Sequence, residues 1–314
     1  MVKILVSDPL HPDGIRMLKD VGFEVVEQPD ISYEELKKKI KEFNVLVVRS
    51  RTKVTKEIID SAEKLVLIAR AGVGLDNIDV KAAQEKGITV MNAPEAPTYS
   101  VAELVIGLMI SVLRGIPRGD TALKDGKWIK KQLLGRELNG KTLGIVGFGR
   151  IGREVAKRAL AFNMKVLAYD VIGELAKKAK ELGVEFVGTT REALNKLLKE
   201  SDIITLHVPL LPSTRHMIGK EEISLMKRGA VIINTSRGGI IDEEALYDAL
   251  KGGRIAAAAL DVFENEPPTG ISLKLVQLPN VVATPHIGAS TEEAQRKAAT
   301  IIAQKIIDYF SSKQ

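Results

Sequence analysis

The sequence alternates short, near-continuous apolar runs with amphipathic stretches, and it does so twice along the chain. In the first half the runs are Ile4-Leu5-Val6, Val25-Val26, Val45-Leu46-Val47-Val48, Leu65-Val66-Leu67-Ile68-Ala69 and Thr89-Val90-Met91. Helical patterns cover residues 12–21, 32–43, 55–61 and 77–86 between them. Ser32 with Glu35 has the form of a capping box, and Thr55 gives a weaker start signal. Strands that are apolar throughout and separated by helices predict a parallel sheet covered on both faces. A chain of 314 residues exceeds one ordinary core and fits two such domains.

A break follows at Asn92-Ala93-Pro94-Glu95-Ala96-Pro97-Thr98, and then an apolar helix over residues 100–113. The alternation resumes at Lys141-Thr142-Leu143-Gly144-Ile145-Val146, with strands expected near 165–169, 203–206, 230–234, 256–260 and 281–283. A last amphipathic helix, about 291–310, can return to the first domain. The expected organisation is a discontinuous substrate domain, 1–97 with 287–314, and a nucleotide domain, 98–286.

Composition narrows the chemistry. Cysteine is absent, which excludes disulfides, thiolate nucleophiles and Cys-ligated metal. No apolar run approaches the roughly 18 residues of a membrane span, and the N-terminus reads as a first strand rather than a signal peptide. A cytoplasmic protein is expected. The net charge of +6 is distributed among interspersed Lys and Glu, as in Lys37-Lys38-Lys39-Ile40-Lys41-Glu42. That pattern is a solvated surface suited to small anionic ligands rather than to nucleic acid or membrane.

Gly147-Phe148-Gly149-Arg150-Ile151-Gly152 is a GxGxxG motif after one apolar run and before a helical one. Glycines there permit a tight turn, and the helix N-terminus offers N–H groups to a pyrophosphate. Asp170, at the end of the next strand, is placed to accept the ribose hydroxyls and to repel a 2′-phosphate. Together these predict NAD as the cofactor in a Rossmann-type domain. The bland alternative is a glycine turn with a capping acid.

Three further segments follow apolar runs: Asn234-Thr235-Ser236-Arg237-Gly238, Asp261-Val262-Phe263-Glu264-Asn265-Glu266-Pro267, and Thr284-Pro285-His286-Ile287-Gly288. The carboxyl ends of parallel strands are where open α/β sheets bind ligands. Hydride transfer from a 2-hydroxy acid needs a cation for the carboxylate, a base for the hydroxyl proton and an acid to orient that base. Arg237, His286 and Glu266 supply these types. Singly, each also fits a surface cation, a turn cap and a solvated loop acid. His207, at another strand end, is a rival base on spacing alone.

These segments resemble the D-2-hydroxyacid dehydrogenase family, and the resemblance runs along essentially the whole chain. It implies two doubly wound parallel-sheet domains, a Rossmann-type NAD domain and a flavodoxin-like substrate domain. It implies that Arg237 binds the substrate carboxylate, His286 is the acid/base, and Glu266 pairs with His286. Cofactor contacts are implied for Gly147, Gly149, Arg150, Ile151, Gly152, Asp170, Thr235, Ser236, Asp261 and Gly288. It puts His207, Val208 and Pro209 on the adenine side, which demotes His207 as a base. The Ala71-Gly72-Val73-Gly74 loop is implied to hold the substrate carboxylate by its N–H groups. No metal is implied.

Arg49-Ser50-Arg51, Arg70-Ala71-Gly72 and Lys124-Asp125-Gly126-Lys127-Trp128 resemble members of the family that oxidise 3-phosphoglycerate to 3-phosphohydroxypyruvate, the reaction that opens serine biosynthesis. Arg49, Ser50, Arg70, Val73 and Gly74 are therefore the expected substrate contacts, with Lys130 of a partner chain in a homodimer formed through the NAD domain. Surface arginines at loop starts are the alternative. Many such members continue into a C-terminal domain that binds serine. This chain stops at Gln314, so serine feedback is not expected. Two other functions stay open: a glyoxylate or hydroxypyruvate reductase of the same family, and an NADH-sensing corepressor-like binding protein.

Overall fold

A computed structural model describes residues 1–312. The chain divides into two compact units, Met1–Ser100 with Ala289–Gln314, and Val101–Gly288.

The first unit holds five parallel strands: β1 (Lys3–Val6), β2 (Glu24–Glu27), β3 (Val45–Val48), β4 (Leu67–Arg70) and β5 (Thr89–Asn92), in the order β2-β1-β3-β4-β5. That is the flavodoxin-like order. Alternate residues of each strand enter different cores. Leu5, Leu46, Val48 and Ile68 pack on one face, and Ile4, Val6, Val45, Val47, Leu67 and Ala69 on the other. This is why the strands read as continuous apolar runs. Helix Glu292–Ser311 packs on helix Pro12–Asp20 and contributes Ala298, Ile302, Ala303 and Ile306 to the second face.

The second unit holds β6 (Thr142–Val146), β7 (Lys165–Tyr169), β8 (Glu185–Gly188), β9 (Ile203–Leu206), β10 (Ala230–Asn234), β11 (Ile255–Leu260) and β12 (Val281–Ala283). All neighbours pair in parallel, in the order β12-β11-β10-β9-β6-β7-β8. The order reverses between β6 and β9, as in a Rossmann sheet. Register then decides where the loops fall. Val146 lies opposite Leu206, Leu206 opposite Asn234, Asn234 opposite Leu260, and Leu260 opposite Ala283. The segments after these residues therefore emerge along one edge of the sheet.

Some elements differ from expectation. Strand β8 went unrecognised because it is a four-residue edge strand with an exposed Glu185 at its start. The helix expected at 77–86 spans only Val80–Glu85, because Asp79 accepts the N–H of Ala82 as its cap (2.9 Å). Asn77 is instead bonded to the carbonyls of Arg49 (2.9 Å) and Thr52 (2.7 Å). The capping box at Ser32 and Glu35 is present, and its helix tightens into a 3₁₀ turn over Ile40–Glu42. No single helix among the described residues is long and apolar enough to cross a membrane.

Gly14 lies at a close approach of the two packed helices. A Cβ there would lie 2.7 Å from the Ala299 carbonyl oxygen and 2.8 Å from its Cβ. Gly14→Ala is therefore expected to destabilise the chain by about 1–3 kcal/mol through overpacking. Helix propensity alone predicts a gain of about 1 kcal/mol. Urea unfolding of the variant decides the sign, and a gain in stability would refute the close-packing explanation.

Candidate active site

The GxGxxG segment leaves β6 and opens helix Arg150–Ala161, whose N-terminus at Gly149 carries no side-chain cap. Its first-turn N–H groups thus have no intrahelical acceptor. Gly147 has φ +96° and packs against the His207 carbonyl, 2.6 Å from where a Cβ would stand. A Cβ on Gly152 would overlap the Gly147 carbonyl, whereas one on Gly149 would meet nothing. The backbone therefore closes on the strand side and stays open at Gly149, as close approach of a pyrophosphate requires. Asp170 accepts the N–H of Phe148 (2.7 Å) and of Ile172 (3.0 Å), which fixes its carboxylate beside the glycine turn. Among the described residues, Thr235 Oγ1 and His207 Nδ1 are buried without a hydrogen-bond partner and are open to a ligand atom or a water. These features together suit a dinucleotide.

His207 is poorly placed to act as a base. Its Nε2 bonds Thr205 Oγ1 (3.0 Å), and loss of hydration pushes its pKa down to about 3. The ring stays neutral at ordinary pH and is a weak proton acceptor.

Arg237, Glu266 and His286 all lie on the loops after β10, β11 and β12. His286 Nδ1 is 2.7 Å from Glu266 Oε2, and Glu266 Oε1 accepts the Phe263 N–H (3.1 Å). The carboxylate acceptor assigns the proton to Nδ1, so Nε2 is left with its lone pair. Partial burial pushes the Glu266 carboxyl up. The bond and charge of His286, the Phe263 amide and the Arg237 charge outweigh it and hold the carboxyl below its ordinary value. The Arg237 guanidinium donates to the Ser236 carbonyl (2.7 Å). Asn234, 2% exposed, braces this turn by donating to the Arg237 carbonyl (2.8 Å) and accepting the Ser236 N–H (3.0 Å). Beside the pair lies a cavity of about 390 Å³ walled by Phe263, Pro267, Pro268, Val276, Ala283 and Pro285.

Asp261 is wholly buried. Its Oδ1 accepts the Thr284 hydroxyl (2.6 Å) and the Ile287 N–H (2.8 Å), and its Oδ2 accepts the Gly288 N–H (2.8 Å). The carboxylate thereby brackets His286, whose φ of +53° a non-glycine residue adopts only when its surroundings compel it. The cofactor contact implied for Asp261 is thus accompanied by three bonds inside the protein. Gly288 leaves room for this geometry, since a Cβ there would stand 3.1 Å from Asp261 Oδ2, a tight contact.

In the first unit, Arg49 and Ser50 follow β3, and Arg70 ends β4. Asp8, 2% exposed, accepts the N–H groups of Arg49 (2.5 Å) and Thr52 (3.2 Å) and the Thr52 hydroxyl (2.7 Å). Arg51 is drawn into the same network, with Nε 3.2 Å from Asp8 Oδ1. Arg70 Nε donates to the Arg49 carbonyl (3.2 Å) and its Nη1 to the Gly74 carbonyl, while Asn92 bonds the Val73 carbonyl. The Arg49 guanidinium makes a long contact to the Pro9 carbonyl (3.3 Å), and Ser50 is exposed. Arg70 thus ties the two loops together, and Arg49 and Ser50 present their side chains at the surface of this unit. Lys130 sits in an exposed 3₁₀ turn of the second unit. Among the described residues no cluster of three His, Cys, Asp or Glu is disposed to hold a metal.

Asp8, Asn234 and Glu243, whose place is described below, were not singled out from the sequence. Each is an ordinary acid or amide at the end of an apolar run or start of a helix, and only burial distinguishes it.

A Rossmann sheet with this glycine turn and an Arg, Glu and His on adjacent carboxyl-end loops defines an NAD-binding 2-hydroxyacid dehydrogenase unit. Residues 106–288 match the family described as D-isomer specific 2-hydroxyacid dehydrogenase, NAD binding domain, and the chain belongs to that family. It is 57% identical over 307 residues to a D-3-phosphoglycerate dehydrogenase of Methanocaldococcus jannaschii, covering 98% of this chain and 57% of that relative. It is 54% identical to a hydroxypyruvate reductase of Thermotoga maritima, covering 97% of each. Among solved structures, a D-lactate dehydrogenase from Aquifex aeolicus, complexed with NAD and lactic acid, superposes with a TM-score of 0.84 at 33% identity, over 99% of this chain and 96% of that one.

Proposed function

We propose that the chain is an NAD-dependent oxidoreductase that interconverts a D-2-hydroxy acid and its 2-keto acid, with 3-phosphoglycerate as the substrate. The observation that carries the reading is the 2.7 Å contact of His286 Nδ1 with Glu266, on the same sheet edge as Arg237 and the glycine turn. Arg237 holds the substrate carboxylate in a charge-assisted bond. His286 Nε2 takes the hydroxyl proton as C2 is oxidised, and Glu266 stabilises the imidazolium that results. Bound NAD supplies the acceptor for the hydride leaving C2. Gly147, Gly149, Arg150, Ile151 and Gly152 hold the pyrophosphate, Asp170 the ribose, His207, Val208 and Pro209 the adenine side, and Thr235, Ser236, Asp261 and Gly288 the nicotinamide side.

Phosphate recognition is assigned to Arg49 and Ser50. Arg70, Val73 and Gly74 shape the neighbouring loop that receives the carboxylate, and Lys130 of a partner chain completes the phosphate site. The names of several relatives at 45–57% identity support this substrate. The hydroxypyruvate reductase relative supports the unphosphorylated alternative, because it matches along nearly its whole length.

A homodimer through the NAD-binding unit is part of the same reading. Ile116, Leu123, Trp128 and Leu134 expose apolar side chains within one short stretch of that unit, with Trp128 80% exposed. Light scattering on the purified chain is expected to give twice the monomer mass, and a monomer would contradict this assembly.

Two sets of variants test the chemistry. His286→Asn should retain NAD binding and lower kcat by about 10²–10⁴-fold. Glu266→Gln removes the charge that stabilises the imidazolium. His286 then loses its charged partner and its orientation, so kcat for oxidation should fall by about ten-fold or more while NAD binding is kept. An unchanged kcat would show that the two residues do not act together. Arg49→Ala should reduce kcat/KM for 3-phosphoglycerate by about ten-fold or more, the worth of a charge-assisted bond of roughly 1.5–3 kcal/mol, and spare a small unphosphorylated hydroxy acid. Equal losses on both substrates would make Arg49 a structural residue.

A further inference from the structure

The loop that carries Glu266 is held by a second acid. Glu243 begins helix Glu243–Lys251 and is 5% exposed. Its Oε1 accepts the N–H of Glu264 (2.8 Å), and its Oε2 accepts the hydroxyl of Ser272, which is wholly buried in helix Gly270–Val276. Glu264 and Ser272 flank Glu266 in sequence, so one carboxylate bridges the two ends of its loop. The Glu264 side chain turns away to His216, with Oε1 2.8 Å from Nε2. Gly238 admits the loop from the Arg237 side, since a Cβ there would overlap the Phe263 carbonyl. Burial pushes the Glu243 carboxyl up, opposed by the bonds from Ser272 and Glu264. A buried carboxylate is tolerated only where its oxygens are bonded, and here both are.

We propose that Glu243 is a positioning residue for the reaction: by bridging the Glu264 N–H and the Ser272 hydroxyl, it fixes the loop that aims Glu266 at His286. The proposal rests on the reading of Glu266 and His286 as a working pair. Glu243 acts as Asp261 does on the other partner, through bonds to residues on either side of the one it positions. Misplacement by an ångström at such a pair is enough to slow turnover by about a hundred-fold.

A double-mutant cycle on the full chain is the test. Glu243→Ala should lower kcat about ten-fold or more while the NAD dissociation constant stays unchanged. Glu243→Gln, which keeps an acceptor for Glu264 and a polar partner for Ser272, should recover most of the rate. In a Glu266→Gln background, Glu243→Ala should cause little further loss, because the group it positions is already disabled. Losses that multiply would overturn the proposal and leave Glu243 a general fold residue. If Glu266→Gln alone is silent, the pair reading fails first and takes the proposal with it. Should Glu243→Ala not yield folded protein, Ser272→Ala removes one of the two anchors and runs the same cycle, with the same non-additivity expected.

Discussion

The hydrogen bonding of the Asp261 carboxylate, deep at the end of β11, is the constraint from which the rest of the site follows. An ion in that position loses its hydration, and it is tolerated only because three donors from the next loop replace the lost water. The donors are on Thr284, Ile287 and Gly288, so the backbone is anchored on both sides of His286. The same arrangement recurs. Asn234 fixes the turn of Arg237, and Asp8 fixes the segment of Arg49 to Thr52. The side chains proposed to react sit at the surface of their units, with half of the His286 side chain exposed (47%), while the groups that hold their loops are hidden. That division reconciles a loop's access to ligand with the precision that proton transfer needs.

Parallel-strand register makes the arrangement possible. Because β6, β9, β10, β11 and β12 end level with one another, five separate chain segments meet along one edge. The protein needs no long excursions to bring the glycine turn, Arg237, Glu266 and His286 to the same side. A cation, an acid and a base thereby lie on the same sheet edge as the glycine turn.

Much of this was legible in the sequence. The apolar runs gave every strand but β8, whose short, charged, half-exposed edge lacks the signal of a buried strand. The GxGxxG context was readable because strand, glycines, helix and acid stand in order, and Arg237, Glu266 and His286 stood out as candidates because each follows an apolar run. His207 illustrates the limit: spacing alone made it a rival base, and its desolvated ring removes it. Arg70 was read as a phosphate contact, yet its donors reach the carbonyls of Arg49 and Gly74, a matter of side-chain direction that spacing does not encode. Glu243 and Asp8 were invisible for a related reason. Their importance comes from burial, and nothing in an acid's neighbours along the chain announces that both its oxygens will be enclosed.

The family sets the reaction type, and the two relatives of highest identity described above differ by one phosphate on the substrate. We propose that the segment of residues 49–52, held by Asp8, recognises that phosphate, and that Arg237, Glu266 and His286 carry out the chemistry. The most direct measurement is NADH consumption with 3-phosphohydroxypyruvate and with hydroxypyruvate, compared as kcat/KM on the unaltered chain. The account predicts a preference for the phosphorylated acid of about ten-fold or more, the contribution of at least one charge-assisted bond. Equal values, or a preference for hydroxypyruvate, would contradict it.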